Sequence, residues 1–462
     1  MVKLPKLPTS GVFREYLAAI IANLCTFCMG SAIAWMTTAE RHVMTGQAYS
    51  FTPTETQWHL VSVLLPLGAA ICCLPTGALM QVFGCKKVML AQILPYLLGW
   101  VLLIFANSIE CVYVGRFLMG MCAGAIYLVV PIYSNEICQV KRRGAIGSLF
   151  YGFALYGGMV GFAMTDRLKL WISNMLNLLL GLSMPCVLLL PESPCHYIYH
   201  GKVDKALRSF QWLRGADYNA QKEITLIMQS ATKSELSLRH GWCGTMKRSR
   251  TVRSTSRAVS LLVLHQLCGI TIAGCYLKQI VQEDAKQPLC ERCMLLLFLC
   301  IVLGYGLCFV LIDRLGRRPL LLISAIICFC GALAEVINLQ LFNSSFSEWR
   351  NLGPLMILLF GYSLGLGPVS WVVSVELIVV PIRAIGVTTA VCCNWILASI
   401  MTFWYEFDRS PLYVFVLIVI ASITAIVLVL SLLPETKMLT PAEIQERLKS
   451  ITGDIDSSGD SD

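Results

Sequence analysis

Charged side chains are scarce in this sequence. Asp, Glu, Lys and Arg make up 14% of its 462 residues and hydrophobic residues make up 56%, whereas a soluble domain carries about 25% charged residues. A chain with so little charge cannot cover a surface that faces water on all sides, so lipid must be part of its solvent. The sequence also lacks a GxxxxGK[ST] phosphate-binding loop, which argues against an ATP-driven pump.

Sites for metals and cofactors are lacking as well. No catalytic dyad or metal-ligand cluster is visible, which disfavours a membrane-embedded enzyme and predicts neither a cofactor nor a metal. Most of the 21 cysteines lie in apolar stretches and are interpreted as small buried apolar residues. Cys290 and Cys293 have CxxC spacing in a predicted external loop, where a disulfide and a metal are both open alternatives. No second pair nearby would complete a zinc site.

Apolar stretches long enough to cross a membrane recur along the whole chain. A hydrocarbon core of about 30 Å needs roughly 20 helical residues, and only helices and closed barrels satisfy their backbone polar groups there. We therefore predict an all-α polytopic membrane protein with twelve transmembrane helices in two groups of six. The stretches cover 16–36, 58–80, 88–106, 112–133, 146–165, 168–190, 258–282, 290–312, 319–341, 353–377, 385–407 and 411–433.

The apolar stretches also divide the chain. An N-terminal six-helix bundle is predicted over 1–190, a helical linker over 191–256, a C-terminal six-helix bundle over 257–433 and a tail over 434–462. With a cytoplasmic N-terminus, all the basic loops, including KRSRTVRSTSR at 247–257, fall on the side that the positive-inside bias requires. Both termini and the linker are therefore predicted to be cytoplasmic. The net charge of +9 follows from these loops and favours contact with anionic lipid rather than nucleic acid.

The two halves repeat the same charged signatures at the ends of their helices. Glu136 precedes Arg143 by seven residues, and Glu376 precedes Arg383 by the same spacing. Because charges at a membrane boundary are costly to desolvate, we predict that they pair as a latch that must break when the inside opens. The alternative is that they only cap helix ends and fix topology. The other predicted members of the latch are Glu192, Asp313, Arg314, Arg317, Arg318 and Glu435.

The segments around these charges resemble the sugar-porter family of the major facilitator superfamily, which includes facilitative glucose transporters and insect trehalose transporters. The resemblance implies two six-helix bundles, transport by alternating access, and a sugar site near the membrane midplane between the bundles. It is carried by GRFLMGMCAGAIYLVVPIYSNEICQVKRRGAIGS at 115–148, PESP at 191–194, DRLGRRP at 313–319, GLGPVSWVVSVEL at 365–377, NW at 394–395 and PETK at 434–437.

The resemblance also implies which residues contact the sugar. Neutral amides and hydroxyls pair with sugar hydroxyls without the desolvation cost of full charges, and indole faces suit the apolar face of a pyranose. The alternative for each residue is ordinary helix packing or helix–helix hydrogen bonding. The matching positions are Tyr151 on the fifth helix, His265, Gln266, Thr271 and Tyr276 on the seventh, Trp371 on the tenth, and Asn394 and Trp395 on the eleventh.

Several of these positions depart from the family pattern. His265 and Thr271 replace a glutamine and an asparagine, Ile301 stands where an asparagine is common, and Tyr151 stands where a glutamine is usual. With fewer hydroxyl partners, either the substrate preference has shifted or transport has weakened or been lost. The first-half latch is also thinned, at Gln81, Val82, Cys85 and Cys195.

Two features of the sequence bear on energy coupling and gating, namely the acids of the first helix and the glycines of the tenth. Proton-coupled members of the family carry an acid in the first helix, whereas no Asp or Glu lies between Tyr16 and Ala39 here. Facilitated diffusion is therefore predicted, with His265 as the one pocket residue through which pH could act. Glycines and Pro368 between 361 and 368 predict irregular backbone in the tenth helix, the candidate inner gate.

Taken together, these features predict a plasma-membrane uniporter of a sugar such as glucose or trehalose. A monomer is sufficient for this function, and the oligomeric state is left open. The alternatives are a transport-incompetent sugar sensor and a porter of another polyol. Asn343 begins the sequon Asn-Ser-Ser, predicted to lie outside the cell, where a glycan can be attached.

Overall fold

The computed structural model describes residues 11–46, 48–215, 218–221, 223–229, 249–268, 291–341, 348–378, 382–407 and 410–451. These residues form helices and connecting segments, and no strand occurs among them. In chain order the helices of the first half are α1 Gly11–Met44, α2 Glu55–Phe83, α3 Cys85–Ala91, α4 Ile93–Ile104, α5 Ile109–Ile137, α6 Arg143–Arg167 and α7 Leu170–Gly181. A 3-10 turn over Met184–Leu189 follows α7.

The connecting segment contains α8 Pro194–Tyr199 and α9 Val203–Arg214, and residues 223–229 are also helical. The second half contains α10 Ser249–Leu267, α11 Glu291–Leu315, α12 Arg317–Leu341, α13 Glu348–Gly361, α14 Pro368–Glu376, α15 Arg383–Phe407, α16 Pro411–Ser431 and α17 Pro441–Ile451.

Eleven helical segments in the described part of the chain are long and apolar enough to cross a membrane. They coincide with eleven of the twelve predicted stretches. The remaining stretch, 258–282, lies partly outside the described residues, and its first part is α10. The predicted all-α membrane fold is therefore confirmed. The first helix is longer than predicted, because it begins at Gly11, and it therefore includes Glu15.

The two halves pack closely against each other. Helix α2 packs along α15, and α6 packs against α11 and α14. Glycines allow these close approaches, since a side chain at Gly77 would collide with Thr388 and one at Gly152 would collide with Tyr305. The crossings bring faces of both halves together around one central cavity.

The tenth span is broken in the way that its glycines predict. A π-helical turn over Tyr362–Leu366 separates α13 from α14, and the amide of Gly367 donates to the carbonyl of Tyr362 at 2.8 Å. Ser324 on α12 accepts from the amide of Leu366 at 2.7 Å and donates to the carbonyl of Gly361 at 2.7 Å. Backbone groups freed by the break are therefore satisfied by a buried hydroxyl from a neighbouring helix.

The connecting segment has a small hydrophobic core of its own. Ile198, Phe210 and Ile224 are buried together in it. Helix α9 also contacts the start of α1, where the guanidinium of Arg14 donates to the carbonyl of Trp212 at 3.3 Å. We call this connecting segment, α8 and α9 with residues 223–229, the cap. It packs against the N-terminal end of α1.

Candidate substrate cavity and latch

A cavity of about 220 Å³ lies between the two halves. Six of the eight residues predicted to contact sugar line it, whereas Thr271 and Tyr276 lie outside the described residues. The same applies to Cys290 and to the sequon at Asn343. The six that line the cavity are Tyr151, His265, Gln266, Trp371, Asn394 and Trp395.

The two walls of the cavity differ in polarity. The first half contributes mainly apolar groups, such as Ile33, Leu65 and Phe150, whereas both side-chain amides of the described lining, Gln266 and Asn394, lie on the second half. Among the described residues that line the cavity, none is Asp or Glu. The first half also contributes polar side chains to the lining, namely Thr37, Ser62, Arg116, Tyr127 and Tyr151.

The imidazole of His265 is held by partners within the protein. The indole N–H of Trp371 donates to Nε2 at 3.3 Å, so Nε2 is an acceptor and Nδ1 carries the proton that points to the carbonyl of Leu366, 3.1 Å away. The hydroxyl of Tyr362 lies 2.8 Å from Nδ1 and 3.2 Å from Nε2. The ring therefore joins α10 to the π-helical turn and fixes the orientation of Trp371.

Helix α15 presents three open hydrogen-bonding groups to the cavity. Asn394 Oδ1, Trp395 Nε1 and Thr402 Oγ1 are buried without a hydrogen-bond partner. Other hydroxyls of α15 bond back to the preceding turn, as Thr389 does to Ile385 at 3.0 Å. Buried polar atoms normally have partners, so these three groups are available to a ligand.

Sequence reasoning missed Thr402. A signal was available, because Thr402 follows Trp395 by seven residues and so lies on the same helical face. The pattern is ambiguous, however, since a helical threonine usually bonds to its own backbone. The structure resolves that ambiguity by leaving its hydroxyl without such a bond.

An aromatic cluster closes one side of the cavity and spans both halves. Tyr127 lies edge-on to Trp371 and Trp395, with ring centroids 5.7 Å and 5.3 Å apart. Phe150 packs on Trp371 at 4.9 Å. The hydroxyl of Tyr151 lies 3.4 Å from that of Ser363, beside the π-helical turn. Aromatic faces of this kind can pack on the C–H surface of a ring-shaped ligand.

Three latch charges of the second half, Arg317, Asp313 and Glu376, are paired with one another. Arg317, which is 2% exposed, donates twice to the carboxylate of Glu376, at 3.0 Å and 3.3 Å, and once to Asp313 at 3.1 Å. Thr436 donates to Glu376 at 2.6 Å. Glu435 accepts from the backbone amide of Arg317 at 3.0 Å. Each buried charge in this set therefore has an opposite charge or a hydrogen-bond donor.

Two predicted latch residues of this region play smaller parts. The guanidinium of Arg318 donates to the carbonyls of Val429 and Leu430, at 3.1 Å and 2.6 Å. Arg314 is exposed, and its carbonyl accepts from the ammonium of Lys437 at 2.5 Å. Both residues tie the loop between α11 and α12 to the end of α16.

Two contacts of the latch cross between the halves. Asp313 accepts from the amides of Gly144 and Ala145, at 3.1 Å and 2.9 Å, in the first turn of α6. A carboxylate at a helix N-terminus is stabilised by the unpaired amides and the helix dipole there. Glu136 lies 4.0 Å from Arg383. An acid of the first half therefore meets an arginine of the second half, and not the arginine that follows it by seven residues.

The first-half latch is held mainly by backbone groups. Glu192 accepts from the amides of Lys86 at 3.1 Å and Ser193 at 3.0 Å, and burial raises its pKa above the ordinary value. The hydroxyl of Ser193 donates to Glu136. Arg143 is buried, and its Nε has no hydrogen-bond partner. The thinned motif therefore leaves fewer charge–charge contacts here than in the second half.

A further ion-pair cluster at this end was not predicted. Glu15 pairs with Arg142 at 2.9 Å and with Arg214 at 3.4 Å. Arg214 also pairs with Glu223 and stacks over the ring of Tyr218. The cluster joins α1, the turn before α6 and the cap. Glu15, Arg142 and Arg214 are distant in sequence, so no spacing pattern could reveal that they pair.

Comparison with known proteins gives a consistent result. The family described as "Sugar (and other) transporter" matches residues 13–448. Glucose transporter type 3 of Drosophila melanogaster is 38% identical over 449 residues, which cover 94% of this chain and 86% of that protein. Facilitated trehalose transporter Tret1 of Apis mellifera ligustica is 26% identical over 445 residues, covering 94% and 88%.

Solved structures share the fold at low sequence identity. The proton:xylose symporter XylE bound to 6-bromo-6-deoxy-D-glucose aligns with a TM-score of 0.83 and 16% identity, covering 95% of this chain and all of that one. The inward-open conformation of XylE from E. coli aligns at 0.68 with 17% identity, covering 94% and 99%. The structure is thus more similar to the ligand-bound form than to the inward-open one.

Proposed function

The chain belongs to the sugar transporter family of the major facilitator superfamily, and from that premise we propose that it is a uniporter that carries a sugar such as glucose or trehalose by alternating access. Members of this family are transporters, so the chain is not an enzyme. The observation that carries the proposal is the cavity between the halves, into which α15 directs three unpartnered polar groups.

The chemistry of these groups suits a polyhydroxylated ligand. Asn394 Oδ1 accepts a hydrogen bond, Trp395 Nε1 donates one, and the hydroxyl of Thr402 does both. All three groups are neutral, so a sugar hydroxyl can replace water at them without the cost of desolvating a charged side chain. Thr402 lies roughly 12 Å along the helix from Asn394, so we assign it to the end of the cavity that lies away from the latch.

His265 has a different role in this proposal. Both of its ring nitrogens have partners in the protein, so the imidazole positions Trp371 for the sugar and leaves direct hydroxyl contacts to Gln266, Asn394 and Thr402. The departure from glutamine at this position therefore exchanges a sugar contact for a fixed aromatic wall.

Passive transport is supported by where the acids lie. Coupling to protons needs a group on the transport path that changes protonation, and the described lining has no carboxylate. Glu15 is the acid that the first helix gains at its start, and it is paired with Arg142 and Arg214. We therefore propose facilitated diffusion, in contrast to the symporter that shares the fold.

The closed latch supports an orientation for the structure. We propose that the latch end is cytoplasmic, together with both termini, and that the protein lies in the plasma membrane. Asp313 and Glu136 then hold the cytoplasmic side shut while the cavity is reached from outside. Exchange to the inward-facing state requires these cross-half contacts to break.

Uptake by reconstituted protein tests the proposal. We would measure entry of radiolabelled glucose and trehalose into vesicles, with and without a pH gradient, for the wild type, Asn394→Ala and the matched control Asn107→Ala, an exposed asparagine outside the cavity. We expect saturable uptake of at least one sugar that ignores the gradient, is lost in Asn394→Ala and persists in the control. Sugar binding without uptake would instead identify a sensor, and gradient-driven uptake would exclude a uniporter.

A further inference from the structure

Ser324 is a buried serine of α12 that lies directly against the break in the tenth span. A side chain added at Gly365, inside the π-helical turn, would collide with Ser324 and with the carbonyl of Leu320. Ser324 is not among the described residues that line the cavity. Its hydroxyl therefore acts on the backbone of the turn and not on a ligand.

The hydroxyl of Ser324 bridges the two ends of the π-helical turn. It accepts from the amide of Leu366 and donates to the carbonyl of Gly361, in both cases at 2.7 Å. These are the amide and the carbonyl that a direct i→i+5 hydrogen bond of a π-helix would join. A side chain that inserts into such a ladder holds it open. The hydroxyl of Ser324 therefore sets the spacing between Gly361 and Leu366.

Leu366 connects this bridge to the sugar site. Its carbonyl accepts from Nδ1 of His265 at 3.1 Å, and Nε2 of the same imidazole accepts from the indole of Trp371 at 3.3 Å. Both rings line the cavity. The amide and the carbonyl of Leu366 are attached to the same Cα, so a displacement of its amide also shifts its carbonyl. A buried hydroxyl of α12 is thus coupled to the aromatic wall of the cavity through Leu366 and His265.

We propose that Ser324 is a positioning residue for the sugar site. Its hydroxyl holds Leu366 where the carbonyl orients His265 and, through His265, the indole of Trp371. The inference rests on the proposed function, because it concerns how the site holds a sugar. With alanine at position 324 the buried amide of Leu366 loses its acceptor, which is costly. The turn then closes directly onto the carbonyl of Gly361 and carries the carbonyl of Leu366 away from His265.

A double-mutant cycle on uptake kinetics tests this role. KM and kcat for radiolabelled glucose and trehalose are measured in vesicles for the wild type, Ser324→Ala, His265→Leu and the double variant. The matched control is Ser374→Ala, at a buried serine of α14 whose hydroxyl donates to the carbonyl of Ser370 in its own helix at 2.7 Å. Ser324→Cys is added because a thiol keeps a weaker donor and acceptor. Melting temperatures in detergent show that each variant is folded.

We expect KM to rise about threefold or more in Ser324→Ala, with kcat within about twofold of the wild type, because the change weakens the hold on the sugar. Ser324→Cys should give an intermediate KM, and Ser374→Ala should leave KM unaltered. Ser324 acts through His265, so the double variant should have a KM close to that of His265→Leu alone and below the product of the two single effects.

Two results would overturn this role while leaving the proposed function intact. A wild-type KM in both variants of Ser324, even with a lowered melting temperature, would show that the serine only stabilises the fold. Single effects on KM that multiply in the double variant would show that Ser324 does not act through His265. A wild type that takes up neither sugar would instead contradict the proposed function, and this inference with it.

Discussion

The two halves of this molecule share a repeated plan but use it differently. The second half supplies the polar wall of the cavity and a latch in which Arg317, Asp313 and Glu376 are paired charge to charge. The first half supplies a mainly apolar wall and a latch in which Glu192 accepts from backbone amides. The repeated motif therefore does not stabilise the two halves equally. We expect both the stability of the latch and the selectivity for sugar to depend mostly on the second half.

The largest expected effect comes from breaking the paired set of the second half. Glu376→Gln leaves the buried Arg317 without its bidentate carboxylate, and removing one partner of a buried ion pair costs about 3–5 kcal/mol. The melting temperature in detergent should fall well below that of the wild type. Glu446→Gln, at an exposed acid of α17, is the control. Equal melting temperatures for the two variants would show that the paired set contributes little.

The next effect concerns the polar wall. Thr402→Val keeps the shape of the side chain but removes the open hydroxyl, and one hydrogen bond contributes about 0.5–1.5 kcal/mol. We expect KM for the transported sugar to rise roughly 2- to 12-fold with kcat little changed. Thr389→Val, whose hydroxyl bonds to its own helix, should leave KM unaltered. A change of the same size in both variants would remove Thr402 from the sugar site.

A smaller effect is expected from the first-half latch. Glutamine at position 192 can still accept from the amides of Lys86 and Ser193, and it avoids the desolvation that raises the pKa of Glu192. Glu192→Gln should therefore change the free energy of unfolding by less than about 1 kcal/mol. Chemical denaturation of Glu192→Gln and Glu376→Gln, measured in parallel, compares the two losses in the free energy of unfolding. A loss as large as that of Glu376→Gln would contradict the asymmetry between the halves.

A separate effect, outside this ranking, is a pH dependence at the first-half end. Burial, followed by the charges of His200, Lys202 and Lys87, lowers the pKa of His196 to about 4, from about 6.5 in an unfolded chain. Between these values the unfolded state binds the proton more tightly, so stability falls as pH drops from about 6.5 to about 4. His196→Gln should flatten this part of the melting-temperature profile. An unchanged slope would assign the acid sensitivity to other groups.

The sequence was sufficient for the fold because the membrane imposes a simple rule on composition. Long apolar stretches predict spans almost by length alone, and the glycines near Pro368 predict the break that the π-helical turn makes at Tyr362–Leu366. The ends of the helices were harder to predict from the sequence. The first span begins five residues earlier than predicted, because polar residues such as Glu15 find partners in the cap.

The site was only partly readable from the sequence. Motifs place six residues around the cavity, yet they do not reveal that His265 is already bonded to Leu366 and Trp371, or that the hydroxyl of Thr402 is open. Spacing likewise indicates that Glu136 belongs to a latch without telling which arginine it meets. Hydrogen-bond partners depend on how distant helices pack, and that information is not local in the chain.

The asymmetric latch is tested most directly by hydrogen exchange in the first turn of α6, where the amides of Gly144 and Ala145 donate to Asp313. Exchange of peptides over 143–150 would be followed by mass spectrometry for the wild type, Asp313→Asn and Glu192→Gln. Loss of a charged helix cap should speed exchange roughly 5- to 30-fold in Asp313→Asn, while Glu192→Gln stays close to the wild type. Unchanged exchange in Asp313→Asn, or an equal acceleration in both variants, would contradict a closure of the latch end that is held by the second half.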